Sequence, residues 1–476
     1  MKKIIFVLSI VFFSSAISFQ SCSSCNNKRK KDQKDSAFEK GKVISKVVCK
    51  KDITQSYALY LPSSYSEDKK WPVVYAFDSH GKGLLPVELF KDEAERYGYI
   101  IVGSNNSKNG TPLNVTSEIY DTLYNDTHRR LSIDDNRIYT AGFSGGSRVA
   151  STLAITKGGI ISVIGCGAGI GTQEQPRQKF GYFGIAGNED MNLNEMIVLD
   201  SSLEKSGYRH YLEVFNGKHE WPPKSVVSDA FLWLELNAYR EKQITINDTL
   251  AKNIFNLWNN EYKSLSEKKR AYEAYLLCKK IINYFDGITD VSSLKKDLSK
   301  LKASPAVVII IKHLNEIAKR ETELQSYFLN AMNTQTAEWW RIQVGIINKK
   351  LISTQDDEEK FMYKRVFNYL SLAAYMNASS NLKAGQYDNA AKYNIIYSLV
   401  DPENPEHSYI SATLSMKKGS TSEAIIFLEE AAKSGFAEPE RFDNDSVMSS
   451  LKQNEKYSEI LESFKNNVKI QQLKSQ

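Results

Sequence analysis

The stretch Arg137-Ile-Tyr-Thr-Ala-Gly-Phe-Ser-Gly-Gly-Ser-Arg-Val-Ala150 constrains the fold of this chain more than any other segment. Its centre, Gly142-Phe143-Ser144-Gly145-Gly146, is a G-x-S-x-G pentapeptide. The apolar run Ile138–Ala141 precedes it, and the helix-forming run Arg148–Ile155 follows. A nucleophile elbow needs that context. The serine sits on a sharp strand-to-helix turn, and glycines flank it because side chains would collide there. Five residues alone match by chance. The strand–turn–helix setting is what makes Ser144 a candidate nucleophile.

The surrounding pattern agrees with such a turn. From Val43 to about Tyr239, apolar runs of strand length alternate with helical segments. Strands are expected at Tyr57–Leu61, Trp71–Phe77, Tyr99–Gly103, Ile138–Ala141, Ser162–Gly167, Phe180–Ala186 and Tyr211–Phe215. Helices are expected at Leu89–Tyr97, Tyr120–Leu131 and Pro223–Glu235. Such alternation implies an α/β class, with a mostly parallel sheet covered on both faces.

A chain of 476 residues is too long for one ordinary core. After residue 240, Pro and Gly become sparse and apolar residues recur with helical period, as in Ala271, Ala274, Tyr275, Cys278, Ile281, Ile282 and Phe285. Residues 306–346 and 359–381 read the same way, so 241–476 is expected to be an all-α domain. Near its end, between 371 and 437, a 34-residue period appears. Gly385-x-Tyr387-x-x-Ala390 recurs as Gly419-x-Thr421-x-x-Ala424; Tyr393 recurs as Phe427, Tyr397 as Ala431, and Pro402 as Phe436. That length resembles a tetratricopeptide helix pair.

The formal net charge of +6 invites a nucleic-acid reading that its distribution excludes. Residues 1–50 carry eleven Lys/Arg against three Asp/Glu, a net of +8, so the remainder sums to −2. The basic excess is an N-terminal arm. Lys2 and Lys3 precede the ten-residue apolar stretch Ile4–Phe13, which fits a secretory signal rather than a membrane span. Ser21-Cys22 resembles a lipobox end, so residues 1–22 are expected to be a lipoprotein signal with acylation at Cys22. Residues 23–42 are then a polar tether, 43–240 the α/β domain, and the protein a cell-envelope lipoprotein. A soluble secreted form is the alternative. Cys49, Cys166 and Cys278 are far apart and lack metal spacing. Gly165–Gly171 is glycine-rich but has no phosphate-loop lysine. No metal or cofactor is expected.

A serine nucleophile needs a base and a group that orients the base. Of six histidines, His219 follows the last strand in the loop before a proline-started helix. His210 stands at the start of that strand, on the other edge. The penultimate strand ends in Gly187-Asn188-Glu189-Asp190, where Glu189 and Asp190 both qualify as the acid. An oxyanion hole needs two backbone N–H groups. Gly145 supplies one, and Ser79 or His80 in the loop after Trp71–Phe77 supplies the other. His80, Phe143 and Trp221 are candidate pocket residues. The polar loop 103–110 either lines the site or caps turns.

Three blocks carry a family resemblance. Asp135-Asn-Arg-Ile-Tyr-Thr-Ala-Gly-Phe-Ser-Gly-Gly-Ser147 and Gly217-Lys-His-Glu-Trp-Pro-Pro223 resemble the polyhydroxybutyrate depolymerase and feruloyl-esterase branch of the α/β-hydrolases, as does Gly187–Asp190. The resemblance covers roughly residues 50–240. It implies an α/β-hydrolase fold, with Ser144 as nucleophile, His219 as base and Asp190 as acid. Lys218 replaces a glycine of the histidine block, and Phe77-Asp78-Ser79-His80-Gly81 replaces the usual His-Gly-rich loop. The signal, hydrolase and helical arrangement is similar to lipoproteins of Bacteroidetes-type bacteria. The expected function is a carboxylic ester hydrolase acting on a polysaccharide or aromatic ester, with a protein partner at the helical repeats. The alternatives are a catalytically silent interaction protein and a serine peptidase.

Overall fold

A computed structural model describes residues 38–245 and 248–474. The expectations for the signal, for Cys22 and for most of the tether lie outside the described residues.

The first half builds one eight-stranded sheet in the order β1-β2-β4-β3-β5-β6-β7-β8. The strands are β1 (Val43–Val48), β2 (Ser56–Tyr60), β3 (Trp71–Phe77), β4 (Ile100–Ser104), β5 (Ile133–Phe143), β6 (Ile160–Cys166), β7 (Gly181–Gly187) and β8 (His210–Phe215). β1 and β2 pair antiparallel, β2 runs antiparallel to β4, and the remaining neighbours are parallel. The parallel strands are joined through α1 (Leu84–Tyr97), α2 (Leu113–Arg130), α3 (Gly145–Thr156) and α4 (Leu193–Lys205), and α5 (Lys224–Arg240) follows β8. β3 and β4 are buried at every position, as strands covered on both faces must be. β1 and α4 were not among the expected elements. β1 is a half-exposed edge strand with a register shift between Ile44 and Val47, so it shows no clean alternation.

From β3 the chain crosses to β4 on one side, and from β5 it crosses to β6 on the other. The ends of β3 and β5 therefore flank the point where the winding reverses, which is where open α/β sheets place their ligand sites. Beneath it, α5 is fastened to the sheet by a buried network. Arg137 Nη2 donates to Glu235 Oε1 at 2.5 Å and to Tyr99 Oη at 2.9 Å, and Tyr99 Oη donates to the same carboxylate at 2.6 Å.

The second half is entirely helical. It comprises α6 (Asp248–Glu267), α7 (Ala271–Phe285), α8 (Ser292–Ala303), α9 (Pro305–Thr334), α10 (Ala337–Ser353), α11 (Asp357–Lys383), α12 (Tyr387–Val400), α13 (Glu406–Lys417), α14 (Thr421–Lys433), α15 (Pro439–Asn444), a 3₁₀ turn at Ser446–Gln453, and α16 (Tyr457–Lys474). The described residues from Glu39 onward form one compact unit. Apolar packing runs across the change of secondary structure near residue 240: Ala274, Cys278, Ile281 and Tyr284 of α7 share a core with Phe183 of β7 and Trp233 of α5. In the 34-residue period, Gly385 and Gly419 take left-handed φ of 73° and 78°, each one residue before the N-cap of the next helix. Ala390 and Ala424 are both fully buried where those helices meet their neighbours.

Candidate active site

The turn after β5 is as tight as its sequence requires. Ser144 adopts φ 54°, ψ −118°, a strained conformation for a residue with a side chain. A Cβ on Gly142 would overlap the Gly146 carbonyl oxygen, and one on Gly146 would overlap the Phe77 carbonyl oxygen. Both positions must be glycine for β5 to pass straight into α3 against β3. The Ser144 N–H is fixed by the Cys166 carbonyl at 2.8 Å, which ties the turn to the end of β6.

His219 and Asp190 arrive at this turn from the ends of β8 and β7. His219 Nε2 stands 2.9 Å from Ser144 Oγ, and Nδ1 stands 2.9 Å from Asp190 Oδ1. Asp190 is fully buried, and the imidazole is mostly covered. The Asn192 N–H donates to Asp190 Oδ1 at 2.9 Å, while Asn192 Nδ2 holds the Gly167 carbonyl at 2.7 Å. The Phe143 ring lies 4.7 Å from the imidazole centroid and forms its apolar wall. Glu189 points elsewhere, pairing with Lys364 of α11 at 2.6 Å. Geometrically, this is a hydroxyl, an imidazole within hydrogen-bond reach of it, and a buried carboxylate at the other ring nitrogen, an arrangement able to move the hydroxyl's proton.

The parallel register places Phe77 opposite Gly142, so the residues after β3 lie beside the elbow. The Gly145 N–H opens α3 and has no intrahelical acceptor. Among the described residues the Ser79 N–H also has no acceptor. Asp78, buried, organises this loop. Its Oδ1 accepts from the His80 N–H at 2.8 Å and the Lys82 N–H at 3.3 Å, and its Oδ2 accepts from Trp221 Nε1 at 3.0 Å. The His80 side chain is largely exposed and touches Ser79 Oγ at 3.1 Å. The Trp221 ring packs 5.6 Å from Phe143 and 5.9 Å from Phe90.

The loop 103–110 divides its labour. Asn106 caps turns, accepting from the Ser56 N–H at 2.8 Å and donating to the Thr54 carbonyl at 3.0 Å. Asn109 instead lies at the elbow. Its N–H donates to the Ser79 carbonyl at 2.8 Å, and its Oδ1 occupies the space a Cβ on Gly145 would need. Sequence reading missed Asp78 as an organiser, although a carboxylate just past a strand, able to accept from the N–H two residues on, is a turn signal. It also missed Arg148, whose two terminal nitrogens hold both Glu195 oxygens at 2.8 Å, joining the helix after Ser144 to the helix after Asp190. His210 is not part of this site. It bonds Asp200 at 2.7 Å and Glu204 at 2.9 Å at the far edge of the sheet.

Strand order, parallel register and the elbow after β5 decide the architecture. It is an α/β-hydrolase fold followed by an all-helical region. No family model matches the sequence, and no curated protein matches it. Among solved structures, the hydrolase-fold region is similar to the S-formylglutathione hydrolase FrmB of Staphylococcus aureus, with 12% identity over 42% of this chain and 99% of that one, at a TM-score of 0.35. It is also similar to a ferulic acid esterase (16% identity, 40% and 97% covered, TM-score 0.33). A third likeness is to a feruloyl esterase module from Clostridium thermocellum complexed with sinapinate (14%, 40% and 85%, TM-score 0.34). All three likenesses lie in the hydrolase-fold half; the strand order, not these scores, carries the assignment.

Proposed function

We propose that this chain is a serine hydrolase that cleaves carboxylic esters. The observation that carries the reading is the hydrogen-bonded line Ser144 Oγ–His219–Asp190, with 2.9 Å at each link, built on a serine held at positive φ. Ser144 Oγ attacks the ester carbonyl as His219 Nε2 takes its proton. The oxyanion forms against the Gly145 and Ser79 N–H groups. The intermediate collapses, and His219 returns the proton to the departing alcohol. Water then gives a proton to His219 and attacks the acyl-serine, which releases the acid and restores Ser144. Asp190 stabilises the imidazolium and keeps Nε2 free to accept.

Esters are preferred to amides because the histidine block Gly217–Pro223 resembles that of the esterase branch. The sequence of residues 1–42 supports export and a lipid anchor at Cys22, and the 34-residue period supports a tetratricopeptide-like partner surface. The test is steady-state hydrolysis of short p-nitrophenyl esters, feruloyl esters and peptide p-nitroanilides, each with Ser144→Ala as control. Ester turnover abolished by Ser144→Ala, with no anilide turnover, is expected. Anilide turnover would make the protein a peptidase. No turnover of either would leave the fold as a scaffold for binding.

A further inference from the structure

The loop that carries Asp190 has its polar groups divided between two halves of the molecule. The N–H groups of Asn188 and Glu189 donate to the carbonyls of Phe215 and Gly217, at 2.8 Å and 2.9 Å. They thereby zip the acid loop to the loop that carries His219. The two carbonyls of the same residues face the helical region. Arg365 Nη1 donates to the Asn188 carbonyl at 2.6 Å, and Asn368 Nδ2 donates to the Glu189 carbonyl at 2.9 Å. Both donors sit on α11, one turn apart, on one face.

Arg365 is itself immobilised. Its Nε and Nη2 donate to Glu321 Oε2 of α9 at 2.9 Å and 2.7 Å, and both partners are buried, at 3% and 0% exposure. A paired guanidinium fixed by a carboxylate presents its remaining nitrogen in one direction. Lys364 adds the ion pair to the Glu189 side chain. A loop segment two residues long is thus held at its N–H side by the hydrolase fold and at its C=O side by the helices, and the next residue is Asp190.

We propose that α11 is a working part of the hydrolase site: Arg365 and Asn368 are positioning residues that hold the Asn188–Glu189 carbonyls and so fix Asp190 against His219. This rests on the serine hydrolase reading above and extends it to the helical half. Part-buried carbonyls that lose their donors weaken the loop, and a shift of about 1 Å in such a site lowers turnover by up to ~10²-fold.

The test uses the full chain and Asn368→Ala, alone and combined with Asp190→Asn. Amide hydrogen exchange across residues 188–190 is read together with the rate of fluorophosphonate labelling and with kcat and KM for a short ester. In Asn368→Ala, exchange is expected to rise about fivefold or more, the gain from losing one hydrogen bond. We further expect kcat to fall about tenfold with KM unchanged. In the Asp190→Asn background, adding Asn368→Ala should slow labelling no further. Unchanged exchange, or an equal loss in both backgrounds, overturns the positioning role. Exchange needs no turnover, so a wild-type chain inert to probe and ester would defeat the hydrolase reading separately, leaving exchange to decide whether α11 holds the loop.

Discussion

Trp221 Nε1 donates to Asp78 Oδ2 at 3.0 Å, across 143 residues of sequence. The bond joins the histidine loop to the loop that carries the Ser79 N–H. Trp221→Phe keeps most of the ring packing against Phe143 and Phe90 and removes the donor. A lost hydrogen bond to a buried carboxylate costs about 2 kcal/mol. Urea unfolding of Trp221→Phe, Asp78→Ala and the double variant should therefore show less-than-additive losses. Ester turnover should fall in both single variants. Additive losses would mean the bond is not a working link.

Gly142 and Gly146 have no room for a methyl group, because backbone carbonyls occupy it. Gly146→Ala should destabilise by at least about 3 kcal/mol or fail to fold, since backbone cannot rotate out of the way. Gly345, inside α10, meets nothing within 4 Å. Gly345→Ala should stabilise by up to about 1 kcal/mol through helix propensity. Chemical denaturation of the two variants checks the contrast.

The elbow was readable because its constraint is local: two glycines, a strand before and a helix after. His219 stood out because it lies in the loop after the last strand. The loop after the strand before left Glu189 and Asp190 both open, and only the family resemblance favoured Asp190, which lies 2.9 Å from His219 Nδ1 while Glu189 pairs with Lys364. The mostly parallel sheet followed from apolar runs, and its inner strands β3, β4 and β7 are buried at every position, whereas the edge strand β8 is only partly covered. β1 escaped because its half-exposed residues and shifted register leave no period to read, and pairing with β2 holds it. The α11 contacts escaped for a different reason. Arg365 and Glu321 are 44 residues apart, and Arg365 and Asn188 are 177 apart, so no spacing announces them. The change to helices after residue 240 was visible, but the apolar core that α7 shares with β7 and α5 was not.

His210 reports on the sheet's far edge. Burial alone would lower its pKa, but the bonds to Asp200 and Glu204 outweigh burial and raise it above 6.5. Asp200 moves the other way: burial opposes, and His210 and Lys279 hold it below 3.8. A raised histidine pKa stabilises fully below 6.5 and is lost as pH rises through the folded value; a lowered aspartate pKa stabilises above 3.8 and is lost as pH falls below it. The melting-temperature gap between wild type and His210→Asn should therefore be widest between about pH 4 and 6.5 and shrink toward pH 9. A gap that grows with pH would contradict this.

The three described thiols, Cys49, Cys166 and Cys278, are unpaired and buried, and should be unreactive in the folded state. Burial pushes Cys49 up to about 12, with Asp126 adding to it, and pushes Cys278 up to about 11. Burial raises Cys166 further still. Since the thiolate is the nucleophile, iodoacetamide at pH 8 should leave all three unmodified in native protein and alkylate all three in guanidinium. Peptide mass mapping reads each site.

The central claim is that Ser144 is a nucleophile activated by His219. Intact-mass and peptide-mapping mass spectrometry after a fluorophosphonate probe tests it directly. One adduct per chain is predicted, mapped to Ser144, absent in Ser144→Ala and slowed by about 10³-fold or more in His219→Ala. No adduct, or an adduct on another residue that persists in Ser144→Ala, would contradict it.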